Sequence, residues 1–332
     1  IMALSKFLDP KNDVAFRRIF GTEKNKDILI HFINDVLELK NGDRIKDVTF
    51  LPTIQIPEIA AKKQSIIDVL CKDENGVQLI IEMQVSPQEG FEKRAQYYAA
   101  KAYSRQLNKG SGEGARYIDL KAVIFIAIID NIIFKDKIFY KSDHIILDKE
   151  SYAHDLQDFS FTFIELPKFK ITDIDLLTNL TEKWCYFFKH ADETSEADLL
   201  KLIGSDLVIE RAYQELNQFN WTEEELLFYE QETKRIMDNQ AAEDYRLKQT
   251  QQQIMQMQQQ IIEAEIKGKA EGIQIGEARG EARGEARGEE QKALAIATAM
   301  LKKDMLVEEI IEFTGLSEEQ IIKLKSSSSI LR

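Results

Sequence analysis

Apolar positions near the start of the chain recur at helical spacing. Val14, Phe16, Ile19 and Phe20 form one stripe behind Asp9-Pro10, which predicts a capped helix with Pro at its first position, and Gly21 marks its end. Ile28, Leu29, Phe32, Ile33, Val36 and Leu37 predict a second helix over 25–39. Asn41-Gly42 breaks the chain, and 45–51 reads as a strand. The pattern then changes period. From Ser65 to Gln84 two β-branched apolar runs flank Asn75-Gly76, a strong hairpin signal, and only Asp68, Glu82 and Gln84 interrupt them as isolated polar positions. Strand side chains alternate, so Glu82 and Gln84 share one side while Leu79, Ile81, Met83 and Val85 share the other. The hairpin is therefore expected to have one apolar face and one face that carries chemistry.

A carboxylate inside an apolar strand is costly unless it is paired or holds a cation. Two of them on adjacent strands point to a hard-metal site. The turn decides whether they can meet. A two-residue Asn75-Gly76 turn pairs Glu74 with Val77 and puts Asp68 opposite Met83, which leaves Asp68 and Glu82 on opposite sides. A three-residue loop, Glu74-Asn75-Gly76 with Gly76 left-handed, sets Asp68 directly across from Glu82. A shared metal requires the second.

Further along, 91–107 is expected to be a helix with Phe91, Ala95, Tyr98 and Ala102 toward the core. Its other face carries Arg94, Tyr97, Lys101 and Arg105, a basic track with one aromatic. Residues 120–129 and 159–166 read as apolar strands, and 173–240 as helical, with Trp184, Phe187, Phe188, Leu199, Leu200, Leu207, Tyr213 and Trp221 as core. In the tail, Leu247, Ile254 and Ile261 lie seven apart with Met257 between them, a short coiled-coil seam in a Gln-rich coat. Gly then recurs every fourth residue from Gly268 to Gly288, with Gly-Glu-Ala-Arg repeated from Gly276.

As a lone helix that repeat is poor. Each Gly costs about 1 kcal/mol against Ala, and rows Glu277, Glu281, Glu285 and Arg279, Arg283, Arg287 stack like charges. A second helix could lay its Arg row on this Glu row; a solvated linker is the alternative. Residues 291–303, 305–313 and 317–325 read as three short helices, with a capping box Ser317-x-x-Gln320 after Gly315. Glu318 and Glu319 open the last of these and disfavour a DNA-reading helix, so an oligomerisation cap is the better reading.

The 332 residues carry a formal charge of −13. That total argues against a general nucleic-acid binder, but it is unevenly spread. Residues 1–130 hold 19 basic and 18 acidic side chains, so the acidity belongs to residues 131–332. Cys71 and Cys185 are too few for a disulfide framework, no apolar run reaches a membrane span and no signal peptide is read, so a cytoplasmic setting is expected. The four histidines lack metal-ligand spacing, and neither a Gly-rich phosphate loop nor a Ser or Cys nucleophile motif is evident.

At the hairpin the sequence resembles the PD-(D/E)XK nuclease superfamily, in which an Asp on one strand and Glu-x-Lys on the next hold Mg²⁺ over a scissile phosphate. The ordered set from Asn12-Asp-Val-Ala-Phe-Arg-Arg-Ile-Phe-Gly21 through Asp68, Glu82-Met-Gln84 and Arg94-Ala-Gln-Tyr-Tyr98 is similar, more narrowly, to the Rpn family of recombination-promoting nucleases or putative transposases, whose pattern has Gln in place of that Lys. The resemblance implies an α/β fold: a restriction-endonuclease-like mixed sheet flanked by helices over 1–170, followed by a helical region over 171–245. An elongated coiled-coil and repeat tail over 246–290 and a small helical module over 291–332 complete the expected organisation.

It also implies a Mg²⁺-dependent DNA endonuclease serving recombination or transposition. In that reading Asp68 and Glu82 are metal ligands, Gln84 positions the attacking water and Asp13 is an acid beside the metal. Arg94, with Tyr97, Lys101 and Arg105 as a track, would bind DNA phosphates. Each has a blander alternative. Asp68 could pair with Lys62, Lys63 or Arg94 in an ordinary ion pair, Asp13 could be a first-turn acid favoured by the helix dipole, and charged helix faces are usually just solvated. Glu58 is a weaker acidic candidate. The competing function is a catalytically weak nuclease fold acting as a self-associating DNA-binding or assembly module.

Overall fold

The computed structural model describes residues 6–55, 65–107, 116–204 and 206–329, in two compact units divided between Glu243 and Asp244. The first unit opens with α1 (Asp13–Phe20) and α2 (Lys26–Val36). The cap of α1 is not at Asp9-Pro10 but at Asn12, whose side chain accepts the Val14 N–H; Asn12 also reaches forward to the Tyr229 carbonyl and the Thr233 hydroxyl. Gly21 ends the helix as expected. A Cβ there would meet the Arg17 carbonyl oxygen at 2.8 Å.

The strands β1 (Val48–Phe50), β2 (Ile54–Gln55), β3 (Ser65–Ile66), β4 (Val69–Asp73) and β5 (Gln78–Gln84) precede α3 (Phe91–Arg105). After it come β6 (Val123–Ile129), β7 (Lys141–Ile145) and β8 (Phe159–Glu165). Six of these form one mixed sheet ordered β1-β4-β5-β6-β8-β7, in which β5, β6 and β8 run parallel and the remaining pairs antiparallel. Strand β7 falls in a polar stretch, Lys-Ser-Asp-His-Ile, that no apolar run announces.

The hairpin register is the one a shared site requires. Val69 pairs Ile81 and Lys72 pairs Gln78, Asp73 donates its N–H to the Val77 carbonyl, and Gly76 is left-handed at φ 84°. The loop is thus the three residues Glu74-Asn75-Gly76. Asp73 Oδ1 pins it by accepting the N–H groups of Asn75 and Val77.

One expectation about this hairpin fails: both faces of the sheet are apolar. Leu79, Ile81 and Met83 join Phe16, Phe20, Phe32 and Trp184 in the larger core, while Ile80, on the Glu82 side, packs with Phe91, Ala95, Ala99 and Ala102 of α3. A sheet with parallel strands at its centre is covered on both sides because the crossover helix between them must lie on a face. Glu82 therefore sits in a covered layer.

Four more helices complete the first unit's core: α4 (Leu180–His190), α5 (Glu196–Ile203), α6 (Leu207–Leu216) and the opening turns of α7 (Glu223–Leu301). Trp184, Phe187, Phe188, Leu199, Tyr213 and Trp221 are buried as the pattern predicts, in the same core as α1 and α2. Leu200 and Leu207 are not: they are 74% and 69% exposed, each turned outward on a helix whose neighbours Leu199 and Ile209 face in.

In the second unit α7 runs helical through the whole Gly-Glu-Ala-Arg repeat. Then come α8 (Val307–Thr314) and α9 (Glu318–Ser329), which close a small core of Ala297, Ile310, Leu316 and Ile321. Gly315 is left-handed, and Ser317 and Gln320 exchange the two hydrogen bonds of a capping box. No helix among the described residues is long and apolar enough to cross a membrane.

Candidate functional site

Asp68 just before β4, the end of β5 with the loop after it, the first helix, the start of α3 and the stretch of α7 from Glu232 to Asn239 line one pocket of about 760 Å³. It gathers four carboxylates, Asp13, Asp68, Glu82 and Glu232, and three guanidiniums, Arg17, Arg94 and Arg235. Asp68, just before β4, is fixed by the backbone, since its Oδ2 accepts the Met83 N–H at 3.0 Å. Its Oδ1 accepts from Arg17 Nη2 at 3.0 Å. Among the described residues the ion-pair partner of Asp68 is Arg17, one turn along α1 from Asp13. Lys62 and Lys63, like Glu58, lie outside the described residues.

Glu82 is 4% exposed, and its Oε1 is buried with no hydrogen-bond partner among the described residues. Burial, and after it the charge of Asp68, hold its carboxyl well above the usual range, against the opposing pull of Arg94 and Arg17. Asp13 is raised to about 6 by burial first and then by Asp68 and Glu232. Arg235 Nη2 stands 3.5 Å from its carboxylate. Four acids of one pocket are thus coupled, Glu82 to Asp68 and Asp13 to Asp68 and Glu232, and nearby positive charge relieves such crowding.

The acidic donors are hard oxygens. Among the described residues no group of three His, Cys, Asp or Glu side chains is close enough to hold an ion, so a closed structural site of the zinc kind is not built here. Two carboxylates facing each other, one with a buried oxygen unmatched among the described residues, could serve a hard divalent cation that keeps several waters, such as Mg²⁺.

Gln84 and Arg94 are joined. Arg94 Nη2 donates to Gln84 Oε1 at 2.6 Å, a second donor goes to Gln88, and Gln84 Nε2 donates to the Ser86 carbonyl. Stacking over Phe91 at 4.7 Å and Tyr98 at 5.7 Å holds the guanidinium above the helix start. The positive charge that the amide lacks is thus delivered beside it from α3. The other members of the basic face lie outside this pocket. Tyr97 is half exposed with Lys101 Nζ 5.9 Å from its ring, and Arg105 is in the last turn of α3.

Sequence reasoning missed Arg17, Glu232, Arg235 and Asn239. Arg17 carried a signal, its four-residue spacing from Asp13, which puts both on one helix face. Glu232, Arg235 and Asn239 share a face of α7 through steps of three and four, but nothing local says that this face meets a strand over 140 residues earlier.

Compared with known families, residues 10–246 match the one described as PD-(D/E)XK nuclease family transposase. No curated protein matches the chain, and no solved structure matches it.

Proposed function

The chain belongs to the PD-(D/E)XK nuclease family of transposases, and on that premise we propose that it is a Mg²⁺-dependent endonuclease that hydrolyses DNA phosphodiesters in the service of recombination or transposition. The observation that carries this reading is the buried Glu82 carboxylate, an oxygen unmatched, across the hairpin from Asp68. These two would hold the ion. Bound there, Mg²⁺ supplies charge to polarise a phosphoryl oxygen and acidify the attacking water.

Asp13 extends the acidic set on the α1 side. Arg94 aims a guanidinium at charge that grows on the phosphate, and Gln84, whose oxygen holds Arg94, is a positioning residue. Tyr97, Lys101 and Arg105 continue from Arg94 along α3 as a track for the DNA backbone. Arg235 and Asn239 approach from α7. Two buried free thiols fit a reducing cytoplasm.

In the tail, helix α7 leaves Leu247, Ile254, Met257 and Ile261 exposed, and its Glu and Arg rows have no opposite row within the helix. The partner in this reading is a second copy of the same helix. Incubation of the purified chain with plasmid and a panel of divalent ions tests the enzymatic part. Nicking that needs Mg²⁺ or Mn²⁺ and vanishes in Asp68→Ala supports it. A folded, metal-indifferent protein without nicking would leave the assembly-module reading in its place.

A further inference from the structure

Two consecutive arginines on α1 behave differently. Arg18 is clamped: it pairs with Glu215 at 3.3 Å and with Glu225, reaches the Asn220 carbonyl at 3.3 Å, stacks 4.6 Å over Trp221 and is 19% exposed. Arg17 makes one side-chain hydrogen bond among the described residues, to Asp68, and is 48% exposed, whereas Asp68 is only 10% exposed. The carboxylate is largely buried and held at both oxygens, while the guanidinium is half exposed. With Oδ2 of Asp68 taken by the Met83 N–H, Arg17 occupies its other oxygen, and both side chains line the pocket.

We propose that Arg17 is a place-holder for the metal, neutralising Asp68 in the metal-free protein and turning to a substrate phosphate once a divalent cation is bound. The proposal rests on the metal-nuclease reading above. The pair gives way when a competing cation takes the Asp68 oxygen that Arg17 holds. A half-exposed ion pair is a weak competitor, lowering the affinity of a divalent ion by about two- to fivefold. Once freed, the guanidinium keeps its planar fork of donors inside a pocket that already holds Arg94, and a non-bridging phosphate oxygen is the acceptor such a fork matches.

The two roles have opposite signs, and that separates them from an ordinary structural ion pair. Loss of Arg17 should tighten the metal and weaken the reaction. A structural pair, when broken, would loosen Asp68 and weaken the metal as well.

The test is a calorimetric titration of Mn²⁺ into the full chain without DNA, for wild type, Arg17→Ala, Arg17→Gln and Arg17→Lys, followed by cleavage kinetics at saturating Mn²⁺. Arg17→Ala and Arg17→Gln should bind Mn²⁺ about two- to fivefold more tightly than wild type, Arg17→Lys close to wild type. Cleavage by both neutral variants should fall roughly tenfold or more. Arg17→Gln keeps length and polarity and carries the same expectation if Arg17→Ala fails to fold. Unchanged or weaker Mn²⁺ binding in the neutral variants, with wild type binding normally, overturns the place-holder alone. A wild type that takes up no Mn²⁺, indistinguishable from Asp68→Ala, overturns the metal reading itself and the place-holder with it.

Discussion

Glu82 and Glu165 lie on the same sheet, on β5 and β8 with β6 between them, and both are almost wholly buried, at 4% and 1% exposure. Their surroundings differ. Glu165 Oε1 accepts the N–H groups of Ile133 and Phe134 at 2.7 and 3.0 Å, and its Oε2 takes the Lys168 ammonium at 2.5 Å. Lys168 in turn donates to the Phe134 carbonyl, so that cluster is internally complete. Glu82 has an orphaned oxygen and an acidic neighbour. The same fold that satisfies one buried carboxylate leaves the other with an oxygen unmatched among the described residues. Burial of an acid is thus uninformative by itself; what distinguishes a site is the partner that the protein does not provide.

The largest test of that contrast is deletion. Asp68→Ala and Glu82→Ala should abolish detectable plasmid nicking in Mg²⁺ while the protein stays folded by circular dichroism. Glu165→Ala should do the reverse: lower stability by about 3–5 kcal/mol, because Lys168 is left buried and unpaired, with the pocket chemistry kept in whatever remains folded. Nicking at the wild-type rate by folded Asp68→Ala would mean that the hairpin is structural.

Next in size are the groups around the carboxylates. Arg94→Ala should cost about 10²–10³ in rate if its charge meets the phosphate. Gln84→Ala should cost less, about tenfold, because the amide only holds Arg94 in place. Gln84→Lys puts an ammonium against Arg94. Survival of its activity would show that a charge at either position serves.

Stability against pH sharpens the comparison further. Asp13 titrates near 6 in the folded chain against 3.8 for an ordinary Asp, so between those values the native state holds more protons than the unfolded one. Stability therefore falls as pH rises through that window. Asp13→Asn should remove the fall, leaving the metal-free variant more stable than wild type above pH 6 and equal to it below about pH 4. Glu82→Gln should act in the same direction, raising the metal-free melting temperature at neutral pH by roughly 2–4 °C per kcal/mol gained, whereas Glu165→Gln should lower it. A melting temperature that drops in Glu82→Gln would place Glu82 beside Glu165 as a structural acid.

The smallest effect on the chemistry belongs to the tail. Replacing Arg279, Arg283 and Arg287 together with Glu should leave plasmid nicking near wild type and shift sedimentation of the full chain toward the monomer. Equal masses for the two chains would remove the paired-helix reading.

Much of this protein is local. The helical stripe of α1 and the apolar runs of β6 and β8 follow from side-chain period, which a sequence displays directly, whereas the three-residue turn at Glu74-Asn75-Gly76 follows only from the demand that Asp68 and Glu82 share a side. The two carboxylates are displayed directly too, because an acid inside a strand contradicts its surroundings. What covers each face is not local. That α3 closes the Glu82 side of the sheet, that Leu200 turns out while Leu199 turns in, and that β7 forms at an edge from polar residues depend on packing between distant segments. The same is true of charge. Arg17 meets Asp68 across 51 positions, and Glu232 and Arg235 enter the pocket from a helix that begins at Glu223, so the balance of four acids and three guanidiniums exists only once the chain is folded. Periodicity reports which way a side chain points from its own element. Which groups it then faces is decided by tertiary contacts, since Coulomb energy and desolvation depend on distance in space and not along the chain.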